Sequence, residues 1–257
     1  MKLSRSDAAA AVREATKLVS ARAGPASRRL FLRRSLTLGG LALLSGCDVT
    51  DGRGVESALA TISRFNDGVQ AWLFDPTRLA PTYPDTMLTR PFPFNGYYAE
   101  SEVPAIDGAR WRLEVGGLVA DRRMWSLAEL RALPQAEQTT RHICVEGWSA
   151  IGKWAGVPCA HFLRRIGADL SARYVGFMCA DDYYTSIDMA TALHPQTMLA
   201  LTHDGRLLPP KYGYPLKVRI PTKLGYKNPK HVVALVVTNT YPGGYWEDQG
   251  YNWFGGS

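Results

Sequence analysis

Cysteine is scarce in this chain, with four in 257 residues: Cys47, Cys144, Cys159 and Cys179. No C-x-x-C-H spacing occurs, which excludes a covalent c-type haem on this polypeptide. The apolar stretch at residues 36–44 falls well short of the roughly 20 residues needed to span a bilayer, so it reads as a signal h-region. Positive charge is also missing where nucleic acid would need it. Of 30 Lys and Arg, 9 fall in residues 1–46 together with 2 of the 23 Asp and Glu, which leaves 21 of each sign in the remainder. The formal +7 therefore belongs to the leader, and no basic stripe is left to act as a phosphate-backbone footprint. There is no internal repeat, and no low-complexity tract beyond the signal region.

The leader itself carries two signals. Ser27-Arg28-Arg29-Leu30-Phe31-Leu32 places paired arginines ahead of the short apolar stretch, the twin-arginine layout. That stretch ends in Leu44-Ser45-Gly46-Cys47, which resembles a bacterial lipobox, with Cys47 expected to be acylated and to become the first mature residue. An ordinary cleavage site with an incidental cysteine is the plainer alternative. Together these signals predict a signal peptide over 1–46 and a periplasmic protein, with membrane contact through a lipidated N-terminus. The twin-arginine route moves folded proteins, which favours a cofactor inserted in the cytoplasm.

The mature chain, about 210 residues, is long enough for one domain with a sizeable core. Residues 47–95 are expected to be loop-like, punctuated by Pro76, Pro81, Pro84, Pro91 and Pro93, and to wrap the domain or meet the anchor. A domain over 96–257 follows. In "RWRLEVGGLV", Trp111, Leu113 and Val115 alternate with Arg112 and Glu114, as in a half-buried strand. Ser126 and Glu129 form a capping box ahead of a short helix. "TTRHICV" predicts a strand with Cys144 at its end, and "CAHFLRRIG" a helix closed by Gly167. "ARYVGFMCA" predicts a buried strand, and "TMLALTHDGRLLPP" a hairpin turning at Asp204-Gly205. "PLKVRIP" and "HVVALVVTNT" complete the strands. Strands outnumber helices without βαβ alternation, so the class is α+β, with strand-rich mixed sheets and short helices.

With Cys47 acylated, three thiols remain, an odd number in an oxidising compartment. Four readings are open from the residues alone. Cys159 and Cys179 can be small buried apolar residues or a pair, with Cys144 a buried thiol. His142, Cys144, Cys159 and His161 can hold zinc, although neither pair has the usual ligand spacing. A histidine such as His142 or His161 can activate a thiol nucleophile. Finally, one thiolate can hold a soft metal whose other ligands belong to an organic group.

"TRHICVEGWSAIGKWAGVPCAHFLRRIGA", combined with "LPPKYGYPLKVRIPTKLGYKNPKHV", resembles the sulfite-oxidase-fold molybdopterin oxidoreductases. Within them it is most similar to the small exported branch that includes periplasmic methionine-sulfoxide reductase catalytic subunits. The resemblance runs from about Asn95 to the C-terminus, roughly 160 residues. It implies that Cys144 is the thiolate ligand of molybdenum. Asn95, Tyr98 and Ala99 align with the first pterin-contacting loop, where Ala99 stands in place of a common glutamate. Cys179 stands where the branch has threonine, Tyr212 where asparagine or histidine is common, and Lys217 where arginine is expected. Asn228, Pro229 and Lys230 match the loop around the pterin phosphate, with Lys230 as counter-charge and Lys227 assisting. Lys217 and Arg219 as solvated strand charges, and Lys227 with Lys230 as loop surface, are the plainer readings.

Arg141 and His142 are candidates for holding substrate beside the metal, although strand alternation sends them to opposite faces. Trp246, Tyr251 and Trp253 are candidates for roofing the cleft. The implied activity is two-electron oxygen-atom transfer with molybdenum–molybdopterin, reducing a small-molecule or protein-bound sulfoxide or a similar S- or N-oxide. Sulfite dehydrogenation is the alternative reaction, and a non-catalytic lipoprotein binding module the alternative class. The last predicted strand ends about seventeen residues before Ser257, so no C-terminal dimerisation domain is expected. Electrons are expected to pass through a separate partner such as a membrane haem protein or a cytochrome c.

Overall fold

The computed structural model describes residues 52–257, so the twin-arginine motif and Cys47 lie outside the described residues. The chain divides into two units, Met1–Ala58 and Leu59–Ser257, and the sheets and the candidate site belong to the second.

The stretch expected to be loop opens instead with helix α1 (Gly52–Leu73). The prolines account for both the expectation and its failure. The first of them is Pro76, so residues 52–73 contain no proline and the helix stops just before the punctuation begins. Beyond it the segment does wrap the domain: the Tyr83 amide donates to Thr139 O at 3.0 Å and the Thr89 amide to Ile151 O at 2.9 Å.

Among the described residues, ten strands form two sheets. The first has the order β2 (Trp125–Ser126), β1 (Arg112–Gly117), β10 (Val232–Thr238), β5 (Tyr174–Cys179), β6 (Tyr184–Asp188). The pair β1 and β10 is parallel, with Val115 opposite Leu235, while its other pairs are antiparallel. The second sheet has the order β3 (Ala136–Ile143), β4 (Ser149–Pro158), β7 (Met198–His203), β8 (Arg206–Leu207), and β9 (Lys217–Arg219) also pairs with β7. The mixed, strand-rich α+β architecture is the one expected. Leu113 and Val115 are buried while Arg112 and Glu114 are exposed, the alternation read from the sequence.

Three short helices join the strands: α2 (Leu127–Ala132), α3 (Cys159–Arg165) and α4 (Met189–Leu193). The capping box at α2 is complete, since Ser126 Oγ accepts from the Glu129 amide at 3.3 Å and the Glu129 carboxylate accepts from the Ser126 amide at 2.8 Å. Gly167, at φ 62°, follows α3 and lets the Ala168 amide reach Leu163 O at 2.9 Å. The β7–β8 turn places Asp204 and Gly205 at φ 50° and 73°, as a two-residue hairpin requires.

Strands β4 and β6 and helix α4 were not legible from the sequence. β4 contains two glycines, a lysine and a proline, and its strand form comes from pairing with β3 on one side and β7 on the other. At Gly156 the β7 backbone comes so close that a Cβ would lie 2.7 Å from Ala200 Cα, so tertiary contact selects the glycine. The main core draws on both sheets and on α3, through Leu113, Val157, Phe162, Val175, Leu199 and Leu235. A smaller cluster gathers Phe92, Trp154, Met198 and Tyr212.

Cys144, Cys159 and Cys179 are all free thiols. Cys159 is fully buried in the main core, and burial pushes its thiol up to about 12, so it is an inert apolar filler. Cys159→Ala is therefore expected to lower unfolding free energy by about 1–2 kcal/mol in urea titrations, through lost contact and a small cavity. Metal content should stay at the wild-type level, and loss of metal in this variant would move Cys159 from the core to the site.

Candidate active site

The β3–β4 connection is a tight turn with Cys144 at its start. The Cys144 amide donates to Trp148 O at 2.9 Å, the Gly147 amide donates to Cys144 O at 3.2 Å, and Gly147 takes φ 91°. The turn presents Cys144 to a cleft of about 520 Å³. Asn95 Nδ2 lies 3.4 Å from Cys144 Sγ, and Glu146 Oε2 lies 3.7 Å from it. The Glu146 carboxylate is itself fixed by Trp148 Nε1 at 2.9 Å.

Burial pushes the Cys144 thiol up, and the nearby Glu146 charge adds to the effect. A thiol held in its neutral form is a poor nucleophile unless a base or a metal removes the proton. His142 is not that base. It stands behind Asn95, with Nε2 3.5 Å from Asn95 Nδ2, and burial together with the Arg219 and Lys217 charges holds its pKa well below the usual range. Gly225 permits this packing, since a Cβ there would sit 2.8 Å from His142 Nε2. Zinc does not suit the site either. Cys159 lies in the core, and no group of three His, Cys, Asp or Glu side chains able to hold a metal occurs among the described residues.

Buried basic side chains lie in one wall of the cleft and behind it, Lys230 in the lining and Lys217 and Arg219 bonded to the lining Asn228. Lys217 Nζ donates to Asn228 O at 3.0 Å. Arg219 donates to Asn228 Oδ1 at 2.9 Å, Thr140 Oγ1 at 3.2 Å and Arg141 O at 2.6 Å, and its Nε has no partner. Lys230 Nζ reaches only Lys211 O, at 3.4 Å, and lies 4.5 Å from the Phe94 ring centroid. Other lysines pair with carboxylates: Lys153, Lys211, Lys223 and Lys227. Among the described residues Lys217, Arg219 and Lys230 have no such pair. Burial pushes Lys217 well below the usual lysine range, with Lys230 and Arg219 adding repulsion, and pushes Lys230 down to about 8 against the pull of Asp181. Basic side chains buried without an anion are costly to keep charged, so the arrangement calls for an anionic ligand that favours their protonated forms.

The structure brings Asn95, Tyr98, Ala99, Cys144, Asn228, Pro229 and Lys230 to the cleft wall. Lys217 stands beneath, touching Asn228. Four expected residues lie elsewhere. Arg141 is exposed and lines a different hollow with Tyr83, because it alternates with His142 along β3. Tyr212 belongs to the smaller core, its hydroxyl donating to Phe92 O at 2.5 Å. Lys227 is fully buried and committed to Glu247. Cys179 ends β5 within the main core and does not line the cleft. Of the three aromatic roof candidates, Trp246 and Tyr251 line the cleft, whereas Trp253 packs on Tyr174 and donates to Ser186.

Sequence reading missed Asp181, whose carboxylate accepts from Tyr98 OH at 2.8 Å, and also Glu146, Tyr183 and Tyr226. The signal for Asp181 was available. It lies in the polar turn of "CADDYY", which directly follows a buried strand and holds Asp182 at φ 61°.

A buried thiol facing a cleft with a buried lysine in its wall, on one mixed and one antiparallel sheet, fits a cofactor-dependent oxidoreductase, and sequence comparison agrees. The chain belongs to the oxidoreductase molybdopterin-binding domain family, whose model matches residues 100–246, and its cofactor is molybdenum–molybdopterin. It is 70% identical over 231 residues, 90% of the chain and 88% of the relative, to a putative protein-methionine-sulfoxide reductase subunit YedZ1 of Azospira oryzae. It is 31% identical over 161 residues to the protein-methionine-sulfoxide reductase catalytic subunit MsrP of Ralstonia nicotianae. That match covers 56% of this chain and 49% of MsrP, so the chain spans about half the length of that relative. The sulfane dehydrogenase SoxCD of Paracoccus pantotrophus shares the fold, with a TM-score of 0.51 over 54% of this chain and 40% of its own, at 20% identity.

The donor set fits that cofactor: one soft sulfur ligand, an amide beside it, and unpaired cations for a phosphate. The two loop lysines are expected to separate cleanly. Lys230→Met should reduce molybdopterin content several-fold in holoenzyme preparations, while the cofactor-free variant near pH 7.5 should be more stable than wild type, since an unpaired buried ammonium is removed. Lys227→Met should instead destabilise the fold by about 3–5 kcal/mol, because it strands a buried carboxylate.

The pH dependence of cofactor-free protein gives a further expectation. Lys230, depressed to about 8 in the fold, binds fewer protons folded than unfolded between pH 8 and the ordinary lysine range, so its contribution to stability rises with pH across that window. The stability difference between Lys230→Met and wild type should accordingly shrink from pH 7.5 to pH 10 in parallel denaturant titrations. A pH-independent difference would show that the ammonium is not held unpaired.

Proposed function

We propose that Cys144 is the protein's ligand to molybdenum, and that the domain reduces a sulfoxide, free or within a protein, by two-electron oxygen-atom transfer. The observation that carries this reading is the one thiol facing the cleft, with Lys230 in the wall and Lys217 and Arg219 behind the lining Asn228, none of the three paired with a carboxylate. The bound molybdenum–pterin group supplies the redox centre that accepts the oxygen atom. The chain's own residues do the rest. Lys230 and Lys217 neutralise the pterin phosphate, with Asn228 holding the loop between them. Asn95 orients the Cys144 sulfur, and Tyr98, anchored on Asp181, closes one side. Glu146 is the ionisable side chain in reach of the sulfur and is the candidate proton donor. The net reaction takes sulfoxide, two electrons and two protons to thioether and water.

Aromatic side chains at the cleft favour a thioether-like substrate, since Tyr97, Tyr226, Trp246 and Tyr251 offer ring faces and edges that suit sulfur and methyl groups. The electrons come from a separate protein, for which a membrane haem subunit or a cytochrome c is the fitting class. The twin-arginine motif and the lipobox support a periplasmic location with an anchor at Cys47. The protein-methionine-sulfoxide reductase relatives support the reductive direction.

Holoenzyme purified from molybdopterin-competent cells is expected to hold about one molybdenum per chain. Cys144→Ala should abolish turnover, at least a thousandfold, while retaining part of the pterin through the lysine contacts. Assay with a reduced artificial donor and a panel of sulfoxides should give faster turnover than assay with sulfite and an artificial acceptor. Full activity in Cys144→Ala would remove the sulfur from the metal, and faster sulfite oxidation would reverse the proposed direction.

A further inference from the structure

Helix α1 is oriented the wrong way round for a surface helix. Ser63, Asp67, Gln70 and Phe74 are the half-buried positions, a row at spacings of 4, 3 and 4 that continues into the residue after the helix. Its polar members bond to the domain: Asp67 Oδ1 accepts from the Phe254 amide at 2.8 Å, and Gln70 Oε1 accepts from the Gly256 amide at 3.2 Å. Phe74 completes the row, edge-on to Phe254 with ring centroids 5.6 Å apart. The apolar row points outward. Ile62 is 55% exposed, Phe65 68%, Val69 37%, Trp72 83% and Leu73 67%. At 1.5 Å per residue this stripe is roughly 17 Å long. The only charges between residues 61 and 73 are Arg64 and Asp67, and neither falls in the apolar row.

A helix that turns its polar side chains to its own protein and its apolar ones to water has an outside partner. Three observations fix the kind. The row forms a convex ridge on one helix, ending in Trp72 and Leu73, with the Phe, Trp and aliphatic composition of interfacial helices. No helix among the described residues is long and apolar enough to cross a membrane, so α1 lies on a surface rather than through one. And α1 begins five residues after Cys47, the proposed acylation site, which would hold it within reach of the bilayer.

We propose that α1 lies in the interface of a lipid bilayer, with Ile62, Phe65, Val69, Trp72 and Leu73 among the acyl chains and Asp67 and Gln70 clamping the domain above it. The choice of a bilayer as occupant rests on the reading of residues 44–47 as a lipid attachment site. An acyl chain alone leaves a tethered domain free to tumble, whereas an interfacial helix fixes one orientation. The cleft then faces the same way in every molecule, which suits electron delivery from a membrane subunit.

Holoenzyme with its natural N-terminus tests this with vesicles of phosphatidylethanolamine and phosphatidylglycerol containing acyl-brominated phosphatidylcholine. Bromine should quench a component of tryptophan fluorescence in the wild type that is missing in Trp72→Phe. Phe65→Asp with Val69→Asp should remove most of that quenching and leave turnover with an artificial donor unchanged, which shows that the variant is folded. Mass analysis of the mature N-terminus reports acylation separately, so the two readings fail separately. Quenching of Trp72 in protein without an acyl group supports the helix and discards the lipobox. Equal quenching in wild type and Trp72→Phe, with an acylated N-terminus, overturns the inference and keeps the anchor. Shielding of Trp72 only in vesicles that carry a membrane haem subunit also overturns it, in favour of a protein partner.

Discussion

Three cations taken out of water without a counter-ion are the constraint around which this fold is organised. Desolvation of a single ion in a protein interior costs several kcal/mol even after relaxation. Lys217, Arg219 and Lys230 are tolerated because backbone and amide oxygens share part of the charge. Asn228 does much of this, accepting from Arg219 and from the Ile220 amide through Oδ1 while its backbone oxygen accepts from Lys217. Its own amide nitrogen donates to Leu224 O, which closes the loop on itself. What remains unbalanced is net positive charge beside a cleft, and a phosphate-bearing group resolves it in a way water cannot.

The position of the thiol follows from the second sheet. β3 and β4 pair over eight residues, which delivers Cys144 rigidly to the start of their turn. Arg219 ties the same strand to the cationic loop through Thr140 and the Arg141 carbonyl. The sulfur and the phosphate-seeking cations are therefore held by one hydrogen-bonded frame, and a two-ended ligand is gripped at both ends by elements that cannot move independently. Lys227 lies close by in sequence but serves a different purpose, pairing with Glu247 to pin the C-terminal segment that brings Trp246 and Tyr251 to the rim.

The face that carries α1 obeys a different balance. Within the domain, apolar groups point inward and the exceptional groups are polar. On α1 the order is reversed, and Asp67 and Gln70 bond to backbone amides of residues 254 and 256. A domain that binds its cofactor through buried charge and its surroundings through exposed hydrophobic side chains uses opposite physics at the two places.

Much of this was written in the sequence. Alternation in β1, the Ser126–Glu129 box, the Asp204-Gly205 turn and the Gly167 stop are local signals, set within a few residues by sterics and capping, and they read correctly. Asn95, Tyr98, Cys144, Asn228 and Lys230 were singled out by the family resemblance rather than by local chemistry, and the structure gathers them at one cleft. Other features depend on contacts far apart in the chain. β4 is a strand only because β3 and β7 flank it. Strand alternation already puts Arg141 and His142 on opposite faces, but only the sheet decides that Arg141 faces solvent and His142 lies beneath Asn95. Lys227 and Lys230 look alike on paper, and only the approach of Glu247 makes one a structural ion pair and leaves the other free for a ligand. Helix α1 was expected to be loop, and its amphipathic pattern alone carries no sign. Only tertiary hydrogen bonds, placing Asp67 and Gln70 against the domain, decide that the apolar face looks outward.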